Sequence, residues 1–120
     1  MRIAVAKETR DGETRVAMVP ELVGKLTGLG YEVAVEPDAG KHALVADEEF
    51  VEAGATIDED AIGSADVVLS VQPLPADAIR RLKRGAATIS FLPVNQEQGL
   101  VADLRDVGAT SFAMELVPRI

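Results

Sequence analysis

Short apolar runs rich in β-branched residues alternate with helical patterns along the whole chain. Strands are predicted at residues 2–8, 31–36, 55–57, 66–72, 86–92 and 109–116. Helices are predicted at residues 19–30, 47–54, 75–85 and 95–108, with one or two helical turns at 58–65. Aromatic residues make up only 3% of the chain, so Val, Ile, Leu and Ala have to fill the core. This composition and the alternation predict a three-layer α/β/α domain with a mostly parallel sheet and right-handed crossovers.

Length, charge and composition limit the classes of function. The 120 residues suit a single domain, and no apolar run approaches the roughly 20 residues of a membrane-spanning helix. The formal net charge is −8 and no Lys/Arg cluster forms a stripe, which argues against a nucleic-acid partner. The chain has no cysteine and a single histidine, His42, so no metal site is expected. A cytoplasmic domain is the default interpretation.

The loop after the first predicted strand carries a cation beside an apolar stretch. In "KETRDGETRVAMVPE", residues 7–21, Arg15 stands directly before an apolar stretch. Ligands of parallel sheets bind beyond the carboxyl ends of the strands, where "QPLP", "PVNQ" and "VPRI" also follow predicted strands. Two interpretations stay open: Arg15 faces a cleft at this rim, or it is a surface cation paired with Glu13 or Asp11. The pattern alone favours the surface cation.

No other motif carries chemistry of its own. The glycines of "GLG", Gly28 and Gly30, end a predicted helix, whereas a dinucleotide-binding glycine loop follows a strand and opens a helix. His42 lies in a polar loop and is expected at the surface. No nucleophile, acid–base pair or metal-ligand set stands out. The residues by themselves therefore predict a parallel α/β domain with a possible cleft.

A family resemblance extends this interpretation. The segments "KETRDGETRVAMVPE", "EPDAG", "DEEFVEAGA", "FLP" and "MELVPRI" resemble, in this order, the N-terminal domain shared by alanine dehydrogenases and the NAD-binding alpha subunit of proton-translocating nicotinamide nucleotide transhydrogenases. The resemblance implies a flavodoxin-like (Rossmann-like) domain, followed in the family by a Rossmann domain with the glycine fingerprint, and NAD(H) in the cleft between them. Residues 1–120 end before the family's Ser-Arg-Ala-Gln segment, so we expect them to be the N-terminal piece of a longer subunit, without its Rossmann domain.

The resemblance also assigns site residues. Arg15 matches the arginine that binds the substrate carboxylate in alanine dehydrogenases, and Arg119 matches the arginine that lines the NAD(H) site of transhydrogenases. Ser70 and Gln72 stand where alanine dehydrogenases have lysines, and Pro93 stands where they have a histidine. Transhydrogenases commonly have that proline, but Ser70 departs from both groups. Arg15 and Arg119 are therefore the candidate cofactor-binding residues, with no catalytic side chain.

The resemblance is closest to the transhydrogenase alpha subunit. It implies direct hydride transfer between NAD(H) and NADP(H), in which the protein positions two cofactors. It also implies a downstream Rossmann domain, NADP-binding and membrane subunits as partners, a homodimer, and a cytoplasmic location peripheral to the membrane. Residues 1–120 alone are expected to be inactive and to hold no cofactor tightly. Two alternatives remain: an alanine dehydrogenase-like oxidoreductase domain, and a non-catalytic interaction module.

Overall fold

The computed structural model describes residues 1–72 and 74–90, and the backbone of 110–113. The strands are β1 (Arg2–Val5), β2 (Glu32–Val35), β3 (Thr56–Ile57), β4 (Val67–Ser70), β5 (Ala87–Ser90) and β6 (Thr110–Ala113). The helices are α1 (Pro20–Gly28), α2 (Asp47–Glu52), α3 (Ala61–Ser64) and α4 (Ala76–Arg81), with a 3-10 turn at Lys41–Ala43. The predicted helix at 95–108 lies outside the described residues.

The described strands form one parallel sheet in the order β3-β2-β1-β4-β5-β6. This confirms the predicted α/β fold class, and the strand order is the one found in doubly wound Rossmann sheets. The chain winds outward in one direction from β1 to β3, then returns to β4 on the other side of β1. The order therefore reverses between β1 and β4, and a crevice is expected beyond the carboxyl ends of these two strands.

The two faces of the sheet have different packing. On one face, α1 and α2 bury Val23 and Phe50 against strand valines such as Val5 and Val35. On the other face, α3 and α4 pack against a layer rich in alanine. Its alanines are Ala4, Ala6, Ala34, Ala61, Ala65, Ala78 and Ala86. Small side chains let α3 and α4 lie close to the sheet, and Phe50 fills the space on the opposite face.

Several predicted boundaries were wrong in detail. The first strand ends at Val5 and not at residue 8, because the Lys7 N–H leaves the sheet and donates to Glu36 Oε1 at 2.8 Å. The helix predicted from residue 47 does begin there, but its N-cap is Ala46, and Asp47, a residue type that favours the N-cap, is the first residue of α2. The Asp47 carboxylate instead accepts the Asp38 N–H, at 3.0 Å from Oδ1. Both differences arise from contacts with residues that follow β2, which local sequence patterns do not reveal.

Candidate functional site

A carboxylate joins the two strands at which the sheet order reverses. Glu8 follows β1, and its Oε2 accepts the Val71 N–H at 2.9 Å while its Oε1 accepts the Gln72 N–H at 2.9 Å. Two successive backbone N–H groups form a concave anion site, and here a side chain of the protein fills it. The loop after β1 and the turn after β4 are thereby held together at the crevice.

The carboxylate of Glu13 extends this connection to Arg15. Gln72 Nε2 donates to Glu13 Oε1 at 2.8 Å. Arg15 donates from Nε to Glu13 Oε2 and from Nη2 to Glu13 Oε1, both at 2.9 Å, and its backbone N–H reaches Oε2 at 3.1 Å. The Glu13 side chain is only 4% exposed, although its partner is an exposed arginine. Glu13 is therefore a fixed, mostly buried anchor for Arg15.

Both sequence-based interpretations of Arg15 bear on its observed position. It is paired with Glu13, as the surface alternative proposed, and its side chain is 61% exposed. It also lies in the loop that Glu13 and Gln72 connect to the carboxyl end of β4. Within the part of the chain that the structure describes, no hydrogen bond occupies Arg15 Nη1. This nitrogen is available to a further acceptor.

The two glutamates have opposite electrostatic environments. The hydrogen bond from the Arg15 side chain is the main cause that lowers the pKa of Glu13 to about 2, with a further contribution from Gln72. Burial raises the pKa of Glu8, and the N–H groups of Gln72 and Val71 only partly offset it. Hydrogen bonding to Glu13 raises the pKa of the Arg15 guanidinium. Near neutral pH a charged Arg15 is thus held by a charged Glu13.

Ser70 lies at the end of β4 with a side chain that is almost fully buried, at 1% exposure. Its Oγ has no hydrogen-bond partner among the residues that the structure describes. A cavity of about 10 Å³, close to the smallest volume that holds one water molecule, borders Ser70, Glu8 and Gln72. Ser70 therefore places a small, buried, neutral hydroxyl beside this cavity, at the position where the resemblance implies a lysine.

A larger opening of about 270 Å³ lies on the α4 side of the same rim. Lys7, Glu36 and Arg81 contribute to its lining. Glu36, with 13% of its side chain exposed, accepts the Lys7 N–H, and its Oε2 lies 3.9 Å from Arg81 Nη1. The polar rim thus continues from β4 past β1 to the end of β2.

The remaining predictions have mixed outcomes. Gly28 is the last residue of α1 and Gly30 has a φ of +95°, so the "GLG" segment ends a helix as predicted. His42 is exposed in the 3-10 turn after β2. Arg119 and Pro93 lie outside the described residues. Glu8 was not among the predicted site residues; its only signal in the sequence is that a carboxylate stands just after the first strand.

The described residues contain neither a metal-ligand cluster nor a membrane-spanning helix. Among them, no group of three or more His, Cys, Asp or Glu side chains is arranged to hold a metal ion. None of the helices in residues 1–72 and 74–90 combines the length and the apolar character that a membrane span requires.

Known proteins with similar sequences and structures identify the family. The family model described as alanine dehydrogenase/PNT, N-terminal domain, matches residues 4–120. An NAD(P) transhydrogenase alpha subunit chain of Rhodospirillum rubrum is 44% identical across all of this chain and 33% of its own length. The alanine dehydrogenase of Halomonas elongata is 35% identical across 98% of this chain and 32% of its own length. The chain thus spans about a third of these relatives.

Solved structures agree with the sequence relatives. The crystal structure of transhydrogenase from Sinorhizobium meliloti superposes with a TM-score of 0.93 at 36% identity, over 100% of this chain and 36% of that one. An L-alanine dehydrogenase superposes with a TM-score of 0.86 at 29% identity, over 94% of this chain and 32% of that one. These matches confirm the resemblance that the sequence motifs suggested. The chain belongs to the alanine dehydrogenase/PNT N-terminal domain family.

Proposed function

We propose that this domain is the N-terminal part of a proton-translocating NAD(P) transhydrogenase alpha subunit, which transfers hydride between NAD(H) and NADP(H). The observation that carries the proposal is the 44% identity to a transhydrogenase alpha subunit over the whole chain. A second transhydrogenase alpha subunit, from Haemophilus influenzae, is 38% identical, also over the whole chain. In the complete subunit a downstream Rossmann domain supplies the glycine fingerprint that this chain does not contain.

The residues at the crevice fit an anionic dinucleotide. Among the described residues no partner occupies Arg15 Nη1, and the side chain is 61% exposed, so Arg15 can donate to a phosphate or a carboxamide oxygen without breaking its bonds to Glu13. A guanidinium held by one carboxylate is pre-oriented, which lowers the entropy cost of binding. The nicotinamide ring of NAD(H) supplies the hydride when the cofactor is bound. The chain's own task is then to orient the cofactor and exclude water.

Arg119 is the second proposed contact. By its match to the family's "PRI" motif, we assign it to the nicotinamide side of the NAD(H) site. No acid or base would be required of the chain, because the two bound nicotinamide cofactors would supply the hydride-transfer chemistry. The site accordingly has cofactor-binding residues, Arg15 and Arg119, and no catalytic side chain.

The proposal includes partners. The alpha subunit would pair as a homodimer and work with NADP-binding and membrane subunits, on the cytoplasmic face of the membrane and peripheral to it. Residues 1–120 alone would be inactive, because they contain neither the Rossmann half of the cleft nor the second cofactor site.

An alanine dehydrogenase activity is the second candidate. It is favoured by the 35% identity to the alanine dehydrogenase of Halomonas elongata and by the superposition on an L-alanine dehydrogenase. Deaminating alanine needs proton transfer beside the reacting carbon, and general acid–base help is worth roughly 10²–10⁴-fold. Ser70 and Gln72 are uncharged at the end of β4, and Glu8 has both carboxylate oxygens bound to backbone N–H groups. These features disfavour the second candidate.

One pair of assays separates the candidates in the full-length protein. The first follows reduction of an NAD analogue by NADPH, with the NADP-binding and membrane subunits present. The second follows NADH formation from L-alanine at alkaline pH. We expect the first activity and no alanine-dependent turnover. Robust turnover of alanine would replace the transhydrogenase proposal with the second candidate.

A further inference from the structure

The Glu8 carboxylate acts within the protein and not on a ligand. Its two oxygens each accept one backbone N–H, from Val71 and Gln72, which are 63 and 64 residues further along the chain. Both oxygens of this carboxylate are therefore engaged by the backbone of the turn. The carboxylate fixes the direction of the turn that leaves β4.

The direction of this turn decides where the Gln72 side chain points. From its present position Gln72 Nε2 reaches Glu13 Oε1 at 2.8 Å. The same Glu13 oxygen accepts from Arg15 Nη2, and the other oxygen accepts from Arg15 Nε. Because the Glu13 side chain is only 4% exposed, its orientation depends on its protein partners and little on solvent. The position of the exposed Arg15 guanidinium therefore depends on Glu8, through Gln72 and Glu13.

We propose that Glu8 is a positioning residue for the dinucleotide site: by holding the turn after β4, it orients the Arg15 guanidinium toward an anionic group of the bound cofactor. This inference rests on the cofactor-binding role of Arg15 in the proposed function. Glu8 itself touches neither cofactor nor substrate.

The cost of keeping Glu8 in place supports a functional role. Burial is the main influence on this carboxyl and raises its pKa, so the charged form is held where its surroundings disfavour it. Groups that are kept charged against desolvation cluster at functional sites. The two hydrogen bonds from backbone N–H groups lower the pKa of Glu8 and so reduce the free-energy cost of burying its charge. The carboxylate is therefore matched to this turn.

The test uses Glu8→Asp in the full-length protein, with Glu59→Asp at an exposed site as the matched control. Aspartate keeps the charge but is one methylene shorter, so it cannot reach both N–H groups. We expect faster hydrogen exchange at the amides of Val71 and Gln72, and NADH binding weakened about 3- to 30-fold, as expected when a coupled pair is broken. Gln72→Ala keeps the backbone N–H that contacts Glu8 but removes the side-chain amide that contacts Glu13, and it should weaken NADH binding to a similar extent. It serves as the second variant if Glu8→Asp does not fold.

A double-mutant cycle distinguishes positioning from a general loss of structure. In an Arg15→Ala background, Glu8→Asp and Gln72→Ala should cause no further loss of NADH affinity. A loss of the same size in both backgrounds would overturn the inference, as would unchanged affinity in both variants. Arg15→Ala alone tests the proposed function separately. If it leaves NADH affinity unchanged, the proposed role of Arg15 fails, and the positioning role of Glu8 fails with it.

Discussion

The Arg15 guanidinium donates to both oxygens of the Glu13 carboxylate, from Nε and from Nη2, at 2.9 Å in each case. Such a two-pronged contact is the strongest geometry available to this pair of side chains. It joins residues only two positions apart in a loop, so it stiffens the loop that carries the proposed cofactor contact.

This pair predicts a pH dependence of stability. The pKa of Glu13 is about 2 in the folded chain, against 4.5 for an ordinary glutamate. A lowered pKa stabilises the fold fully above pH 4.5, and the contribution is lost as the pH falls toward 2. We therefore expect Glu13→Gln to be less stable than the wild type at about pH 6, with a difference that shrinks from about pH 4.5 to about pH 3. Urea unfolding across this range measures it.

Glu8 makes the comparison with the variant necessary. The pKa of Glu8 is raised, so its charged form destabilises the fold near neutral pH. This penalty is relieved as the pH falls and the carboxylate becomes protonated. The wild-type profile alone mixes the two effects. A wild-type minus Glu13→Gln difference that stays constant from about pH 6 to about pH 3 would contradict the assigned environment of Glu13.

Gly40 predicts a packing effect in the loop between β2 and α2. A Cβ at this position would lie 2.7 Å from the Val45 carbonyl oxygen and 2.9 Å from Phe50 Cε2. We expect Gly40→Ala to lower the free energy of unfolding by about 1–3 kcal/mol, the usual cost of overpacking. Gly28→Ala is the matched control, because a Cβ there meets no atom within 4 Å. It should be neutral or raise stability by up to about 1 kcal/mol.

Denaturant unfolding of both variants checks this contrast. If Gly40→Ala is as stable as Gly28→Ala, the loop after β2 does not pack tightly against Val45 and Phe50.

Local sequence patterns predict the fold of this chain better than they predict its site. The switch between short apolar runs and helical patterns is a local signal, and it was sufficient for the parallel α/β class and for the helix end at Gly28 and Gly30. The reversal of the sheet between β1 and β4 leaves no local trace. The Glu8 contacts join residues 63 and 64 positions apart, and therefore depend on this reversal. For the same reason the uncharged Gln72, which looked like a lost lysine, has a role that only the fold reveals.

The chain on its own is expected to bind the cofactor weakly. Of the residues between β1 and α1, only Gly12 is a glycine, and a single glycine does not form a pyrophosphate-binding loop. We expect residues 1–120 to show no submillimolar affinity for NADH in a fluorescence or calorimetric titration. Submillimolar binding by this piece alone would contradict a cleft formed by two domains.

The buried hydroxyl of Ser70 predicts an unusual tolerance. Because its Oγ has no partner in the described part of the chain, removing it should cost nothing, and an unpartnered buried polar group is itself destabilising. We expect Ser70→Ala to leave the free energy of unfolding unchanged or to raise it by up to about 1 kcal/mol. Ser64→Ala should lower it by about 1 kcal/mol, since Ser64 Oγ accepts from Arg2 Nε at 3.0 Å and donates to the Asp60 carbonyl oxygen at 3.0 Å. Thermal unfolding compares the two, and a clear loss for Ser70→Ala would mean that a water bonds to the hydroxyl.

Arg119 gives the most direct test of the proposed cofactor site. Losing a hydrogen bond from a charged group costs about 1.5–3 kcal/mol, so Arg119→Ala in the full-length protein should weaken NADH binding by roughly 10- to 150-fold. Arg84→Ala is the matched control, because Arg84 is an exposed cation in the turn after α4 and should leave the affinity unchanged. Titration of the cofactor's fluorescence measures both variants, and circular dichroism checks that both are folded. A folded Arg119→Ala protein with the affinity of the control would remove Arg119 from the site and leave Arg15 as the only proposed contact that this domain makes with NAD(H).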